Sequence, residues 1–110
     1  DVEGHEARVL RGASRLLAHS RPAILVEIEQ RHLDRPIAEV FELIHAQDYS
    51  GWFLDGTLLR PLSGFDVAAD QSIEAFHAGG ERYINNFLFL ADERVVSGEY
   101  RKLFLAKGVA

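Results

Sequence analysis

The sequence predicts an α/β domain whose strands form a doubly wound, mainly parallel sheet. Helical and extended patterns alternate along the chain with short connections, which is the order of elements in such a fold. Residues 23–28 form an almost continuous apolar run, typical of a strand that is covered on both faces. With 110 residues, of which 47% are hydrophobic and 26% charged, we expect one globular domain or part of one.

The first helix is predicted from Glu6 to about His19, with Val9, Leu10, Ala13, Leu16 and Leu17 as its apolar residues at helical spacing. Pro22 ends this pattern, because proline cannot continue a helix. The strand of residues 23–28 follows directly.

A second helix is predicted after that strand and ends around Gln47. Asp34 is the expected capping residue, and Pro36 suits the first turn. The buried stripe of this helix is expected to consist of Ile37, Val40, Phe41 and Ile44.

The second half of the chain is predicted to be richer in strands. Trp52 to Leu59 has the pattern of a hairpin, with Asp55-Gly56 in a type I′ turn. Residues 61–82 are predicted to be a long excursion, with a short helix around residues 72–77. Tyr83 to Leu90 reads as a last strand, and Gly98 to Lys107 as a terminal helix that packs Tyr100, Leu103 and Phe104.

Charge and composition exclude several classes of protein. A net charge of -5 with scattered basic residues argues against binding a phosphate backbone. The absence of cysteine excludes disulfides and thiolate metal sites and suits the cytoplasm, where we expect the protein. No apolar run is long enough for a membrane helix, and the first residues do not resemble a signal peptide.

A candidate site lies at the start of the chain, where Asp1-Val2-Glu3-Gly4 precedes the first helix. If these residues end a strand, the Asp1 and Glu3 side chains share one side of it, with His5 within reach. Such a group could bind a divalent cation, act as an acid and base pair, or hold a substrate hydroxyl. Alternatively, the acids only complement the positive end of the helix, and His5 is a surface residue.

Four segments of the chain resemble the FkbM family of S-adenosylmethionine-dependent methyltransferases. Asp1-Val2-Glu3-Gly4-His5-Glu6 and Val9-Leu10-Arg11-Gly12-Ala13 are similar to the end of the family's fourth strand and to the helix that follows it. Val26-Glu27-Ile28 and Asn86-Phe87-Leu88-Phe89 are similar to its later strands, whereas residues 48–82 match no part of the family pattern.

The resemblance implies a partial class I, Rossmann-like methyltransferase fold with its N-terminal strands missing. Residues 1–110 would form the C-terminal part of a single methyltransferase domain, in which the last two strands make an antiparallel pair. Trp52 to Leu59 and Tyr83 to Leu90 would supply that pair. The missing N-terminal half of the domain, or a partner chain, is the expected partner at the exposed sheet edge.

The resemblance also implies the reaction, which is methylation of a hydroxyl on a small molecule or sugar with S-adenosylmethionine as cofactor. Asp1, Glu3 and His5 would be the catalytic residues, with His5 as a possible base. The cofactor-binding residues are expected upstream of Asp1, because no Gly-x-Gly-x-Gly turn occurs in this chain.

Glu27 and Asn86 are the candidate substrate-binding residues. Glu27 ends a strand on the side where open α/β sheets bind ligands, although a salt bridge to Arg31 or Arg35 would also explain it. Asn86 could reach the cleft or only satisfy backbone groups at a sheet edge. No metal site is expected, because the histidines outside the first motif are dispersed.

Two other functions compete with the methyltransferase. The chain could be a non-catalytic α/β remnant or binding module that pairs through an exposed sheet edge, since such an edge presents unpaired amides. It could also be a metal-dependent enzyme that uses Asp1, Glu3 and His5.

Overall fold

A computed structural model of the chain describes residues 14–74, 79 and 83–107. Its four strands are β1 (Ile24–Glu27), β2 (Tyr49–Asp55), β3 (Leu58–Pro61) and β4 (Asn86–Ala91). Its α-helices are α1 (Ser14–Ser20), α2 (Ile37–His45), α3 (Val67–Asp70), α4 (Asp92–Val96) and α5 (Arg101–Lys107), and two 3₁₀ turns cover Gln30–His32 and Leu62–Gly64.

The described strands form one sheet in the order β1-β4-β2-β3, and each neighbouring pair is antiparallel. The prediction of a mainly parallel sheet is therefore wrong for these strands. β1 and β2 do run in the same direction, but β4 lies between them and runs opposite to both. The prediction that β1 is covered on both faces is also wrong, because Leu25 in its middle is 68% exposed. An apolar run does not indicate the direction of the strand beside it.

The antiparallel pairing of the last strands is confirmed by the register of β2 with β4. Tyr49 lies opposite Ala91, and Phe53 lies opposite Phe87. β4 begins at Asn86, three residues later than the prediction.

The predicted hairpin is formed by β2 and β3, but its turn differs from the prediction. Asp55 pairs with Leu58, so the two loop residues are Gly56 and Thr57. Gly56 has a φ of +63°, whereas Thr57 is not among the residues with positive φ. A positive φ at the first loop residue alone is the pattern of a type II′ turn, so the type I′ prediction is wrong.

The main core lies between one face of the sheet and α2. Tyr49, Phe53, Phe87 and Phe89 are almost fully buried on the sheet, and Ile37, Val40 and Ile44 are buried on α2. Phe41 packs against this core and completes the predicted stripe. On α1, Leu17 joins the core, but Leu16 is 59% exposed, so its predicted place in the apolar stripe is wrong.

The opposite face of the sheet is covered in part by the C-terminal helices. The Trp52 ring lies 5.2 Å from the Phe104 ring, measured between centroids. This contact confirms that the terminal helix packs through Phe104, although the helix begins at Arg101 rather than Gly98. α4, which follows β4 immediately, was not predicted.

α2 begins at Ile37 and is not capped by Asp34. Its N-cap position is Pro36, without a side-chain cap bond. Instead, the Gln30 side-chain oxygen accepts a hydrogen bond of 2.6 Å from the Ile37 amide, and its nitrogen donates to the Arg35 carbonyl. A side chain from the preceding 3₁₀ turn thus satisfies the free amide of the first turn.

The predicted excursion of residues 61–82 contains a 3₁₀ turn and α3. The short helix predicted around residues 72–77 lies partly outside the described residues. Among the described residues, no helix is long and apolar enough to cross a membrane.

Arg21 joins several elements at the end of the sheet where β1 and β2 begin. Its guanidinium donates to the carbonyls of Gln47 and Asp48 at 2.6 and 3.0 Å, and it forms an ion pair with Glu93 of α4 at 2.7 Å. It also lies over the Tyr49 ring, 4.7 Å from the centroid. This side chain therefore connects the end of α2 and the start of β2 to α4.

Candidate functional site

The carboxyl end of β1 places the two predicted substrate-binding residues opposite each other. Glu27 is the last residue of β1 and pairs in register with Asn86, the first residue of β4. The ladder continues one residue further, where the Ile28 amide donates to the Asn85 carbonyl at 2.9 Å. Paired residues of antiparallel strands share a face, so both side chains lie on one side of the sheet. The predicted catalytic residues Asp1, Glu3 and His5 lie outside the described residues.

Glu27 lies on the face of β1 opposite the main core, because its neighbours Val26 and Ile28 pack into that core. The alternative ion pairs with Arg31 and Arg35 do not form. Arg31 binds Glu29, and Arg35 binds Glu39. Within the described part of the chain, the half-buried Glu27 carboxylate has no hydrogen bond or ion pair.

Asn86 is exposed, and its side-chain nitrogen donates weakly to the side chain of Asn85 at 3.4 Å. In the described residues, it makes no hydrogen bond to the backbone of the sheet edge. A small molecule that lies against this face can therefore meet both a carboxylate and an amide.

A second group of polar side chains continues from Glu27 along the same end of β1. Glu29, two residues further on, is only 6% exposed, and its Oε1 accepts hydrogen bonds from the Tyr83 hydroxyl at 2.8 Å and from Arg31 Nε at 2.9 Å. His32 Nε2 lies 3.7 Å from the other carboxylate oxygen. We call Glu29, Arg31, His32 and Tyr83 the Glu29 cluster.

The electrostatics of the Glu29 cluster keep its carboxylate ionised. Burial by itself raises the pKa of Glu29, but hydrogen bonds from Tyr83 and Arg31 outweigh that effect and lower the pKa below its usual value. Burial and the bond to Glu29 raise the pKa of Tyr83, so its hydroxyl stays protonated and donates. Glu29 is therefore a weak base that is suited to orienting its neighbours.

Gln71 fixes the backbone beneath this cluster. Its buried side-chain nitrogen donates to the carbonyls of Ile28 and Ile84, both at 2.8 Å, and its oxygen accepts from the Gln30 amide at 2.7 Å. One amide side chain thus joins the exit of β1 to the segment that leads into β4. This bridge holds Glu29 and Tyr83 at a fixed separation.

The Glu29 cluster is not predicted as a site from the sequence. In the sequence-based prediction, Arg31 is only an alternative partner for Glu27, and Tyr83 belongs to the last strand. A signal was present, because Glu29 follows the apolar strand at the same end where Glu27 was selected. Tyr83 could not be found in this way, because it is 54 residues away in the sequence and only the pairing of β1 with β4 brings it close.

The described arrangement can bind hydroxyl and charged groups. Glu27 can accept a hydrogen bond from a hydroxyl, Asn86 can both donate and accept, and Arg31 can only donate. Among the residues that the structure describes, no group of three or more histidine or acidic side chains is placed to hold a metal ion.

Comparison with known proteins finds a family model that is similar to the first part of this chain. A model of the methyltransferase FkbM domain matches residues 1–50. That segment contains the Asp1 to Glu6 motif, α1, β1 and α2, so the resemblance to this family is confirmed over it. No curated protein and no solved structure matches the chain.

Proposed function

We propose that residues 1–110 form the C-terminal part of an FkbM-type methyltransferase domain, which methylates a hydroxyl on a small molecule or sugar. The observation that carries this proposal is the match of the FkbM domain to residues 1–50. S-adenosylmethionine supplies the methyl group when it is bound. Asp1, Glu3 and His5 are the proposed catalytic residues.

The directions of the strands support the proposal. β4 lies between β1 and β2 and is antiparallel to both, so the sheet ends in the antiparallel pair that the family resemblance implies. In this arrangement the carboxyl ends of β1 and β2 lie at the same end of the sheet, and open α/β sheets bind their ligands at that end. Glu27 and Asn86 lie there.

The residues of this chain suit the methyl acceptor better than the cofactor. The sequence lacks the Gly-x-Gly-x-Gly turn that receives a nucleotide at a helix N-terminus. The proposed contribution of this chain is to bind the acceptor through Glu27 and Asn86 and to orient its hydroxyl. His5 would take the proton of that hydroxyl.

The test is a methyl-transfer assay on a protein that contains both this chain and a cofactor-binding half. We expect Asp1→Asn and Glu3→Gln to lower kcat roughly 100-fold or more, the usual scale for loss of a positioned acid or base. Thermal stability should change little. Asp34→Asn is the matched control, because Asp34 is exposed and precedes α2. Unchanged turnover in both Asp1→Asn and Glu3→Gln would exclude the proposed roles.

One observation favours the second candidate, a binding module that pairs through its sheet edge. β1 is an outer strand of the described sheet, and Leu25 in its middle is 68% exposed. An outer strand offers amides and carbonyls to another strand. The proposed partner is the N-terminal half of the same domain or a second chain.

Leu25→Lys separates edge pairing from a passive surface. A charge in an outer strand opposes pairing with another strand, so the variant should associate less with its partner, or with itself, in sedimentation velocity experiments. Leu105→Lys is the control, because Leu105 is 77% exposed but lies on α5. Equal effects of the two substitutions would exclude a role of the β1 edge.

A further inference from the structure

We propose that Arg31, held in place by Glu29, binds a carboxylate or phosphate of the acceptor, and that the acceptor is therefore an acidic hydroxyl compound. This inference rests on the proposed function for the role of the site, and it adds the class of substrate. It assigns a positioning role to Glu29 and a binding role to Arg31.

Glu29 is buried beside the candidate acceptor site. Its carboxylate is almost completely removed from solvent, and it accepts hydrogen bonds from Arg31 and Tyr83. Removal of this carboxylate from solvent costs free energy, which offsets the attraction of its partners, so the contact contributes little net stability. A buried carboxylate with fixed hydrogen-bond partners, at the end of a sheet where ligands bind, is instead a common feature of functional sites.

The Arg31 guanidinium is held by Glu29 but stays accessible to a ligand. Its Nε is bonded to Glu29, and its side chain is 55% exposed. Arginine has five N–H donors in a planar fork that fits carboxylate and phosphate groups. The contact through Nε fixes the plane of the guanidinium while the side chain stays accessible.

The Glu27 and Asn86 pair lies a short distance from the Glu29 cluster. Glu27 and Glu29 are two residues apart, and the backbone at Glu29 is extended. Two residues of extended chain span roughly 7 Å. A hydroxyl held at Glu27 and Asn86 would then lie within one monosaccharide of an oxyanion held at Arg31. A sugar acid or a sugar phosphate has this combination of groups.

The experiment is a titration of ¹⁵N-labelled protein, followed by the amide NMR signals of residues 29–32 and 83–86. Three probes share one sugar ring: methyl glucuronide, glucose 6-phosphate and neutral methyl glucoside. We expect the two acidic probes, or one of them, to shift these signals with a Kd at least tenfold below that of the neutral probe. The stronger of the two acidic probes identifies the oxyanion as carboxylate or phosphate.

Arg31→Gln and Arg35→Gln form a matched pair of variants. Arg35 is also exposed and also paired with a glutamate, Glu39, but it is bonded to the first turn of α2. Arg31→Gln should weaken binding of the acidic probe by about tenfold to a hundredfold, the usual effect of losing a hydrogen bond to a charged group. Arg35→Gln should leave the Kd unchanged. Arg31→Lys keeps a charge beside Glu29 and should give an intermediate Kd, because lysine lacks the planar fork.

Equal Kd values for acidic and neutral probes, equal effects of Arg31→Gln and Arg35→Gln, or no shift with any probe would overturn this inference. The proposed function has a separate readout. Methyl transfer without preference for acidic acceptors would contradict only the inference, whereas selective binding of an acidic probe without methyl transfer would contradict only the proposed function.

Discussion

Two glutamates with lowered pKa values lie in different surroundings, at opposite ends of the sheet. Glu29 is buried, and its pKa results from opposing effects of burial and hydrogen bonds. Glu93 is largely exposed, and its bond to Arg21 is the main reason that its pKa falls from 4.5 to about 2. The Glu29 carboxylate lies in the candidate site, whereas the Glu93 carboxylate forms a structural contact between α4 and Arg21.

Glu93→Gln should reduce the acid sensitivity of the fold. The folded-state pKa of Glu93 lies below its ordinary value, so the ion pair contributes its full stability above about 4.5 and loses it as the pH falls towards about 2. The free energy of unfolding of the unmodified chain should decline across that window, and the decline should be smaller in the variant. Urea unfolding at a series of pH values, followed by Trp52 fluorescence, measures both slopes.

The matched control is Glu99→Gln. Glu99 is also exposed, and it makes only a 3.4 Å contact with Arg94. Exposed pairs of this kind contribute little to stability. If both variants change the slope equally, the Arg21 contact has no special role in the acid response.

At the scale of elements, the close approach of β2 to its neighbours depends on Gly51. A Cβ atom at this position would lie 2.6 Å from Phe89 Cε1 and 2.8 Å from Leu62 Cδ2. Both contacts are far inside van der Waals distance, and Phe89 is fully buried. The pairing of β2 with β4 therefore requires a residue without a side chain at the position opposite Phe89.

Gly51→Ala should destabilise the chain by about 1–3 kcal/mol, the usual cost of inserting atoms into a packed core. Gly64→Ala is the control, because its Cβ would meet Phe53 at an ordinary 3.7 Å. Chemical denaturation of both variants tests this expectation. A loss of stability at Gly64 as large as that at Gly51 would mean that crowding is not the cause.

Gln71 is the corresponding residue for the connection between β1 and β4. Gln71→Ala should cost about 1–3 kcal/mol, because buried carbonyls of Ile28 and Ile84 lose their donor. It should also broaden the NMR signals of the Glu29 cluster. Gln47→Ala serves as the control, since the Gln47 side chain makes no hydrogen bond to the described residues. Sharp signals with normal stability would show that the bridge is dispensable.

At the scale of the whole molecule, the described sheet has an outer strand, β1, with an exposed leucine on it. In the proposed methyltransferase, the cofactor-binding half would lie on that side. The proposed acceptor residues and the Glu29 cluster lie at the carboxyl end of the same strand. We therefore propose that β1 both carries the acceptor-binding residues at its carboxyl end and pairs with the rest of the domain along its outer side.

The 110-residue chain by itself should not bind S-adenosylhomocysteine in isothermal titration calorimetry. The reason is that it lacks a glycine-rich turn at a helix N-terminus for a nucleotide. A protein that also contains the cofactor-binding half should bind it. Micromolar binding by the chain alone would show that residues within it form a cofactor site that we have not recognised.

Local sequence patterns determined the elements of this chain and indicated the family that it resembles. Helical spacing located α2 and its buried residues, β-branched and aromatic residues located β4, and Pro22 marked the end of α1. These features depend on neighbours within a few residues, so periodicity reports them directly. The Asp1 to Glu6 motif was also sufficient to indicate the family that matches residues 1–50.

Only the tertiary structure decided how β1 pairs and which distant side chains meet. The insertion of β4 between β1 and β2 makes its pairs with both strands antiparallel, and it brings Asn86 to Glu27 and Tyr83 to Glu29. These contacts join residues more than 50 positions apart. They depend on how the whole sheet packs against its helices, and the residues adjacent to each strand carry no record of that choice.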